Sequence, residues 1–226
     1  MIETLSFLIG LKKWSPSLLI DYLFLDENKC NFCKAEFIYL HGLCKDCFDK
    51  LDYVDNRFLI DDYFAYSIFF YDDFFKKMIG LYKFERRTEF SRIFSEILYD
   101  YGKSKSLFDV DYILPSPSSD KTLINRGFDH IRMITDDFID KIPPIYLDSF
   151  KKIKNTKAQH NLGKEERMTN LSDAFTLDGD LSGKRVLIVD DIITTGNTSK
   201  EIIKVLEKAN VEDVKILVLA SERRVL

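Results

Sequence analysis

The 226-residue sequence contains no run of 18 apolar residues, so it lacks the usual signature of a membrane-spanning helix. Its longest aromatic-rich stretch, residues 63–75, is broken by Asp72 and Asp73. The opening Met1-Ile2-Glu3-Thr4 has neither the basic start nor the small-residue cleavage pattern of a secretory signal, and the expected location is the cytoplasm. An excess of positive charge is missing too. Lys and Arg number 33 against 37 Asp and Glu, for a formal net charge of −4. Bulk attraction to nucleic acid is therefore excluded, and any such contact must be a local patch. There is no internal repeat and no low-complexity tract. Hydrophobic residues make up 46% of the chain, enough for the core of one large domain, alone or with a small appendage.

No cysteine lies outside residues 30–47. Within that window stand Cys30-x2-Cys33, ten residues, then Cys44-x2-Cys47. In a cytoplasmic chain this spacing favours metal over disulfides. Four thiolates close a tetrahedral zinc site, with each CxxC turn aiming two sulfurs at one ion. The competing reading is two pairs of buried or redox thiols. Gly42 suits the tight turn before the second pair, and His41 reads as a bystander because the thiolates already complete the shell. Such a zinc is structural, with no open position for hydrolytic chemistry.

Periodicity predicts a helical segment over residues 4–25, interrupted at Ser15-Pro16, with Trp14 packing on a zinc module at 28–50. A strand is expected at 63–70 and helices at 72–82 and 88–101. Farther on, 110–114 reads as a strand ended by Pro115-Ser116-Pro117, and 128–140 as an amphipathic helix. Residues 151–170 read as a mobile polar loop and 174–177 as a short strand. The last elements are a buried strand at 185–189, a helix at 199–208 and a buried strand at 214–220. Continuous apolar strands alternating with helices imply an α/β fold built on a parallel sheet flanked by helices. The expected division is 1–58, a helical segment with the four-cysteine module, and 59–226, the α/β domain. Lys83 with Arg86-Arg87 follows an aromatic helix within reach of a phosphate but reads first as a solvated helix end, His130 as a helix-surface histidine, and Arg223-Arg224 as surface charge.

The most informative stretch is Val189-Asp190-Asp191-Ile192-Ile193-Thr194-Thr195-Gly196-Asn197-Thr198. An apolar strand ends in two adjacent carboxylates, then hydroxyl residues and a glycine lead straight into a helix. Ligands of open α/β sheets bind at this edge of the sheet. Backbone N–H groups and the positive helix end suit a phosphate, to which Thr194, Thr195 and Thr198 add hydroxyl donors. Adjacent acids at a phosphate site make sense if they accept hydrogen bonds from a vicinal diol. A ribose 5-phosphate unit satisfies both, with its diol on Asp190 and Asp191 and its phosphate on 194–198. The bland reading is a strand end with an acidic helix cap. This stretch lacks the Gly-Lys-Ser/Thr of a Walker loop.

With that loop, the chain resembles the type I phosphoribosyltransferases. More closely it resembles the ComF family of competence-associated proteins, which join a four-cysteine zinc module to such a domain. The resemblance is carried by Cys30, Cys33, Cys44 and Cys47, by Tyr71 to Phe84, and by Pro115-Ser116-Pro117. Asn125-Arg126-Gly127-Phe128-Asp129, Gln159, Arg167, Asn170 and Ala174-Phe175 add to it, together with the 189–198 loop. It implies a type I phosphoribosyltransferase-like fold that binds phosphoribosyl pyrophosphate (PRPP) together with Mg2+. Ser116 and the Arg126-Gly127 pair would lie near the pyrophosphate, residues 151–170 would form a hood, and Asp190 and Asp191 would be the catalytic pair if transfer occurs. It also implies assistance to DNA uptake in natural transformation, contact with single-stranded DNA, and a competence translocase or helicase as partner. The one basic patch that fits nucleic acid is residues 149–168, with six basic residues against two acidic, among them Lys151, Lys152, Lys154 and Lys157. Phe150 or His160 would supply a stacking ring there. The same segment also reads as a hood closing on pyrophosphate. Two other functions stay open: an active phosphoribosyltransferase of nucleotide salvage, and a PRPP-sensing regulator.

Overall fold

The computed structural model describes residues 28–153 and 174–223. The expected helix at 4–25, Trp14, Lys154, Lys157 and Arg224 lie outside those residues, as does most of the expected 151–170 loop. In chain order, a cysteine knuckle containing the one-turn α1 (Lys45–Phe48) leads into β1 (Tyr53–Ile60) and β2 (Tyr63–Phe70). Next come α2 (Asp73–Phe84), α3 (Phe90–Ser104), β3 (Tyr112–Pro115), α4 (Asp120–Arg126) and α5 (His130–Asp136). A 3-10 turn at Ile139–Lys141 precedes β4 (Ile145–Tyr146), β5 (Phe150–Lys152), β6 (Phe175–Leu177), β7 (Arg185–Ile193), α6 (Asn197–Lys208) and β8 (Asp213–Ser221).

Six strands form one sheet in the order β1-β2-β8-β7-β3-β4. All neighbours run parallel except the β1–β2 hairpin at one edge. The central strands are apolar throughout because both faces are covered, and their side chains alternate between two cores. On one face Leu187 and Val189 pack with α2, α3, α5 and the cysteine knuckle; on the other Val186 and Ile188 pack with α6 and the β5–β6 ribbon. Among the described residues no helix is long and apolar enough to cross a membrane.

Several expectations shift. The β1 strand was not foreseen. Its burial alternates as an edge strand's does, and Asp55 and Asn56 mask the pattern. The expected boundary at residue 58 falls inside it. The single helix expected at 128–140 is two shorter pieces, α5 and the 3-10 turn, and a further short helix, α4, precedes them. Ser119 caps α4 through the Thr122 N–H, Gly127 ends it at a φ of 87°, and Asp129 caps α5 through the Arg132 N–H. Residues 151 and 152, expected at the start of a mobile loop, instead lie in β5, which pairs antiparallel with 175–177 and is sealed by Phe150 against Phe175 with centroids 5.7 Å apart. β7 runs four residues past its expected end, so Asp190 to Ile193 are strand rather than loop.

Candidate functional site: a strand-end cleft and a cysteine cluster

β3 and β7 lie side by side, and Pro115 at the end of β3 pairs with Val189. From there the chains part. β3 leads through α4 and α5 to β4 on one side, while β7 leads through α6 to β8 on the other. Diverging connections leave a crevice at the C-terminal ends of the strands, where open α/β sheets hold ligands. A cavity of about 480 Å³ occupies that crevice. Its walls are the loop after β3 (Ser116 to Ser119), the end of β7 with its following turn (Asp190 to Ile192, Thr194, Thr195) and Thr198 of α6. Tyr71, Lys83, Thr122, His130, Lys152 and Glu222 complete it.

The two acids sit on opposite faces of one strand, as alternation requires. Asp191 is 5% exposed and turns toward α2 and α5. Its Oδ2 accepts a hydrogen bond of 2.9 Å from His130 Nε2 and also pairs with the Lys83 ammonium. Burial alone would raise the Asp191 carboxyl, but Lys83 and His130 outweigh it and hold the group well below the ordinary carboxylate range. Arg126 donates to the other imidazole nitrogen, Nδ1. Asp190 faces the α6 side, where its Oδ1 accepts from the Asp191 N–H at 2.9 Å and Ser116 offers its hydroxyl. Burial, then the charge of Asp191, push the Asp190 carboxyl up to about 7. Lys152 reaches over the Phe175 ring, 5.4 Å from its centroid, and burial draws its ammonium down while Asp190 counteracts.

Of the residues singled out in the sequence, Asp190, Asp191, Ile192, Thr194, Thr195, Thr198 and Ser116 meet at the cavity. Ile193, Gly196, Asn197 and Arg126 are not on its wall. Ile193 is buried in the α6-side core. Gly196 takes the left-handed backbone (φ 79°) that opens α6, with Ile60 packed beside it, and Asn197 begins the helix. The Arg126 side chain instead reaches Nδ1 of His130. Lys151 and Lys152, grouped by sequence as one basic patch, separate on the pleat: Lys151 is exposed and Lys152 lines the cavity. Two readings are overturned. Lys83 is no solvated helix end, since its side chain is 16% exposed and paired to Asp191. His130 is no surface histidine, being buried at 8% exposure. The sequence held a signal for Lys83: the buried stripe Phe75, Met78, Ile79, Tyr82 puts it four residues after Ile79 on the same face.

At the other end of the chain, Cys30, Cys33, Cys44 and Cys47 bring their sulfurs within 4.8 Å of one another. Cys33 and Cys44 are 3.7 Å apart. A tetrahedron with Zn–S bonds of about 2.3 Å has edges of about 3.8 Å, so the spacing suits that ion. Backbone N–H groups of Glu36 and Ala35 draw the Cys33 thiol down to about 6, while burial pushes Cys44 and Cys47 up. Gly42 turns the chain at a φ of 70°, where a Cβ would meet the Asn31 amide at 2.7 Å. His41 is not in the cluster and faces Glu96 and Asp100.

Residues 134–225 match the family model described as the phosphoribosyl transferase domain. Competence protein F of Haemophilus influenzae is 28% identical over 200 residues, covering 84% of this chain and 83% of that one. Competence protein ComFC of Streptococcus pneumoniae is 28% identical over 149 residues, covering 66% of this chain and 64% of that one. DNA utilization protein YhgH of Shigella flexneri is 24% identical over 196 residues, covering 84% and 83%. The chain thus joins a four-cysteine knuckle to a phosphoribosyltransferase-type sheet, and over most of its length it is similar to competence protein F.

Proposed function

We propose that the chain binds PRPP with Mg2+ in the strand-end cleft and assists DNA uptake in natural transformation, contacting single-stranded DNA as it does so. The observation that carries the ligand reading is the convergence, on one cavity, of two strand-end carboxylates, a threonine-rich helix entrance and the cations Lys83 and Lys152. The 5-phosphate suits Thr194, Thr195, Thr198 and the start of α6. The ribose diol suits Asp190 and Asp191. The pyrophosphate suits the Ser116–Ser119 loop, with Lys152 opposite. Mg2+ prefers oxygen and water, and would ride on the pyrophosphate and sugar oxygens, neutralising their charge. The role in DNA uptake is taken from the competence and DNA-utilization relatives. Zinc in the cysteine knuckle would hold that fold closed.

Titration calorimetry of one preparation with PRPP–Mg2+ and with an oligothymidylate tests both arms. Saturable PRPP binding is expected, lost in Asp190→Ala and Asp191→Ala, together with DNA binding that weakens steeply with salt. No PRPP binding by the wild-type chain would refute the ligand reading; salt-independent DNA affinity would refute the other. Pyrophosphate release from PRPP across a panel of nitrogen bases separates a binding protein from a transferase. Base-dependent turnover would assign the chain to nucleotide salvage.

A further inference from the structure

His130 is the first residue of α5, set there by the Asp129 cap, and the Tyr82 hydroxyl donates to its carbonyl oxygen at 2.7 Å. Its ring bridges two charged groups. Arg126 meets Nδ1 and Asp191 Oδ2 meets Nε2. A guanidinium has donors only, so Nδ1 must be the acceptor and Nε2 must carry the proton. The Asp191 carboxylate, which can only accept, demands the same tautomer, so the ring donates to Asp191 while Arg126, with Ser118 Oγ 3.4 Å away, keeps a second proton off Nδ1. The Lys83 ammonium binds the same Oδ2. With Oδ2 doubly engaged, Oδ1 is the oxygen left to accept from a ligand.

We propose that His130, fixed by Arg126, is a positioning residue that holds the Asp191 carboxylate by Oδ2 so that Oδ1 is offered to the ribose hydroxyls of the ligand. This rests on the PRPP reading of the cavity. Sequence alone treats position 130 as a helix-surface histidine; the geometry makes it the link between a half-buried arginine and one of the two acids. Glutamine reproduces what the role needs, since its planar amide has one donor and one acceptor on neighbouring atoms and never charges. Alanine keeps neither.

The test uses the full chain. PRPP–Mg2+ affinity is measured for the wild type, His130→Ala, His130→Gln and Arg126→Ala, and ring 15N shifts of His130 are recorded in the wild type and Arg126→Ala. A hydrogen bond to a charged group sets the scale, so His130→Ala is expected to weaken binding by about 10- to 100-fold. His130→Gln should stay within about threefold of wild type, about 0.7 kcal/mol at most in equilibrium terms. The wild-type ring should show the neutral Nε2–H tautomer alone, and Arg126→Ala, which frees Nδ1, should let the ring take a second proton there and show the imidazolium pattern. Glutamine as weak as alanine, alanine equal to wild type, or a tautomer mixture in the wild type would each overturn the assignment. Failure of the wild type itself to bind PRPP would overturn it differently, by removing the ligand; wild-type binding undiminished in His130→Ala would remove only the positioning role.

Discussion

Asp190→Asn isolates the proton that the fold keeps on Asp190. The side chain is partly buried beside an anion, and its carboxyl is raised from 3.8 to about 7. Between those values the unfolded chain has lost the proton and the folded chain retains it. The contribution of this group to stability is therefore whole below about 4, declines as pH rises toward 7, and is gone above it. A three-unit shift corresponds to about 4 kcal/mol over the whole range. Asp191 and Lys83 share in the shift, and part of the window lies below pH 5, so about 1–3 kcal/mol falls between pH 5 and 8. Asparagine retains an acceptor for the Asp191 N–H and cannot ionise. The variant should therefore gain on wild type by that amount between pH 5 and 8. Asp191, held low by Lys83 and His130, stays ionised across the same window and adds no slope. For a chain of this size each kcal/mol moves Tm by about 2–4 °C, so the Tm difference should widen by several degrees. Scanning calorimetry or urea melts at pH 5, 6.5 and 8 read it directly. A difference between variant and parent that does not change with pH would refute the reasoning. The ligand reading adds a second consequence: wild-type PRPP affinity should rise through about pH 7, as Asp190 becomes a full acceptor, and Asp190→Asn should flatten that rise.

Gly196→Ala forces a side chain into the left-handed region with its Cβ 3.4 Å from Ile60 Cδ1, and should cost about 1–2 kcal/mol in urea unfolding. The cysteine cluster should bind one zinc per chain by a colorimetric release assay; Cys44→Ser should abolish it, and chelation should lower Tm in the parent but not the variant. Lys151→Ala should lower single-stranded DNA affinity and reduce its salt slope by about 1 without affecting PRPP, whereas Lys152→Ala should weaken PRPP. An equal effect of the two lysines on both ligands would return them to one shared patch.

Legibility in the sequence followed how local the physics was. The apolar runs at 185–189 and 214–220, the cysteine spacing and the glycine at 196 are local signals, and they gave the parallel sheet, the knuckle and the helix entrance. What escaped was set by partners far along the chain. β1 is a strand because β2 and the Asn56 contact with the Arg223 carbonyl hold it, not because Tyr53–Ile60 alternates cleanly. Lys83 and His130 read as solvated because isolated charges on short helices usually are. Only the fold brings β7 against both, 108 and 61 positions away in sequence. Lys151 and Lys152 read as one patch because sequence adjacency hides the pleat, and the pairing of β5 with β6 separates them.

The pleat also explains how neighbouring acids come to differ so widely. β3 ends opposite Val189, and from Asp190 onward β7 is paired on one side only, with β8. The strand keeps its alternation while its other edge opens to the cleft. Asp191 then falls to the face carrying Lys83 and His130, and Asp190 to the face carrying Ser116 and Lys152. Each carboxylate is tuned by a different layer of the domain, one held as a permanent anion and the other near neutrality. Two acids on a loop would share one environment and repel. On a strand that outlasts its partner they line a single cavity and yet titrate apart. On the proposed PRPP reading, a diol with two hydroxyls at fixed separation would meet a constant acceptor in Asp191 and, in Asp190, an acceptor whose charge the ligand and its cation would draw out.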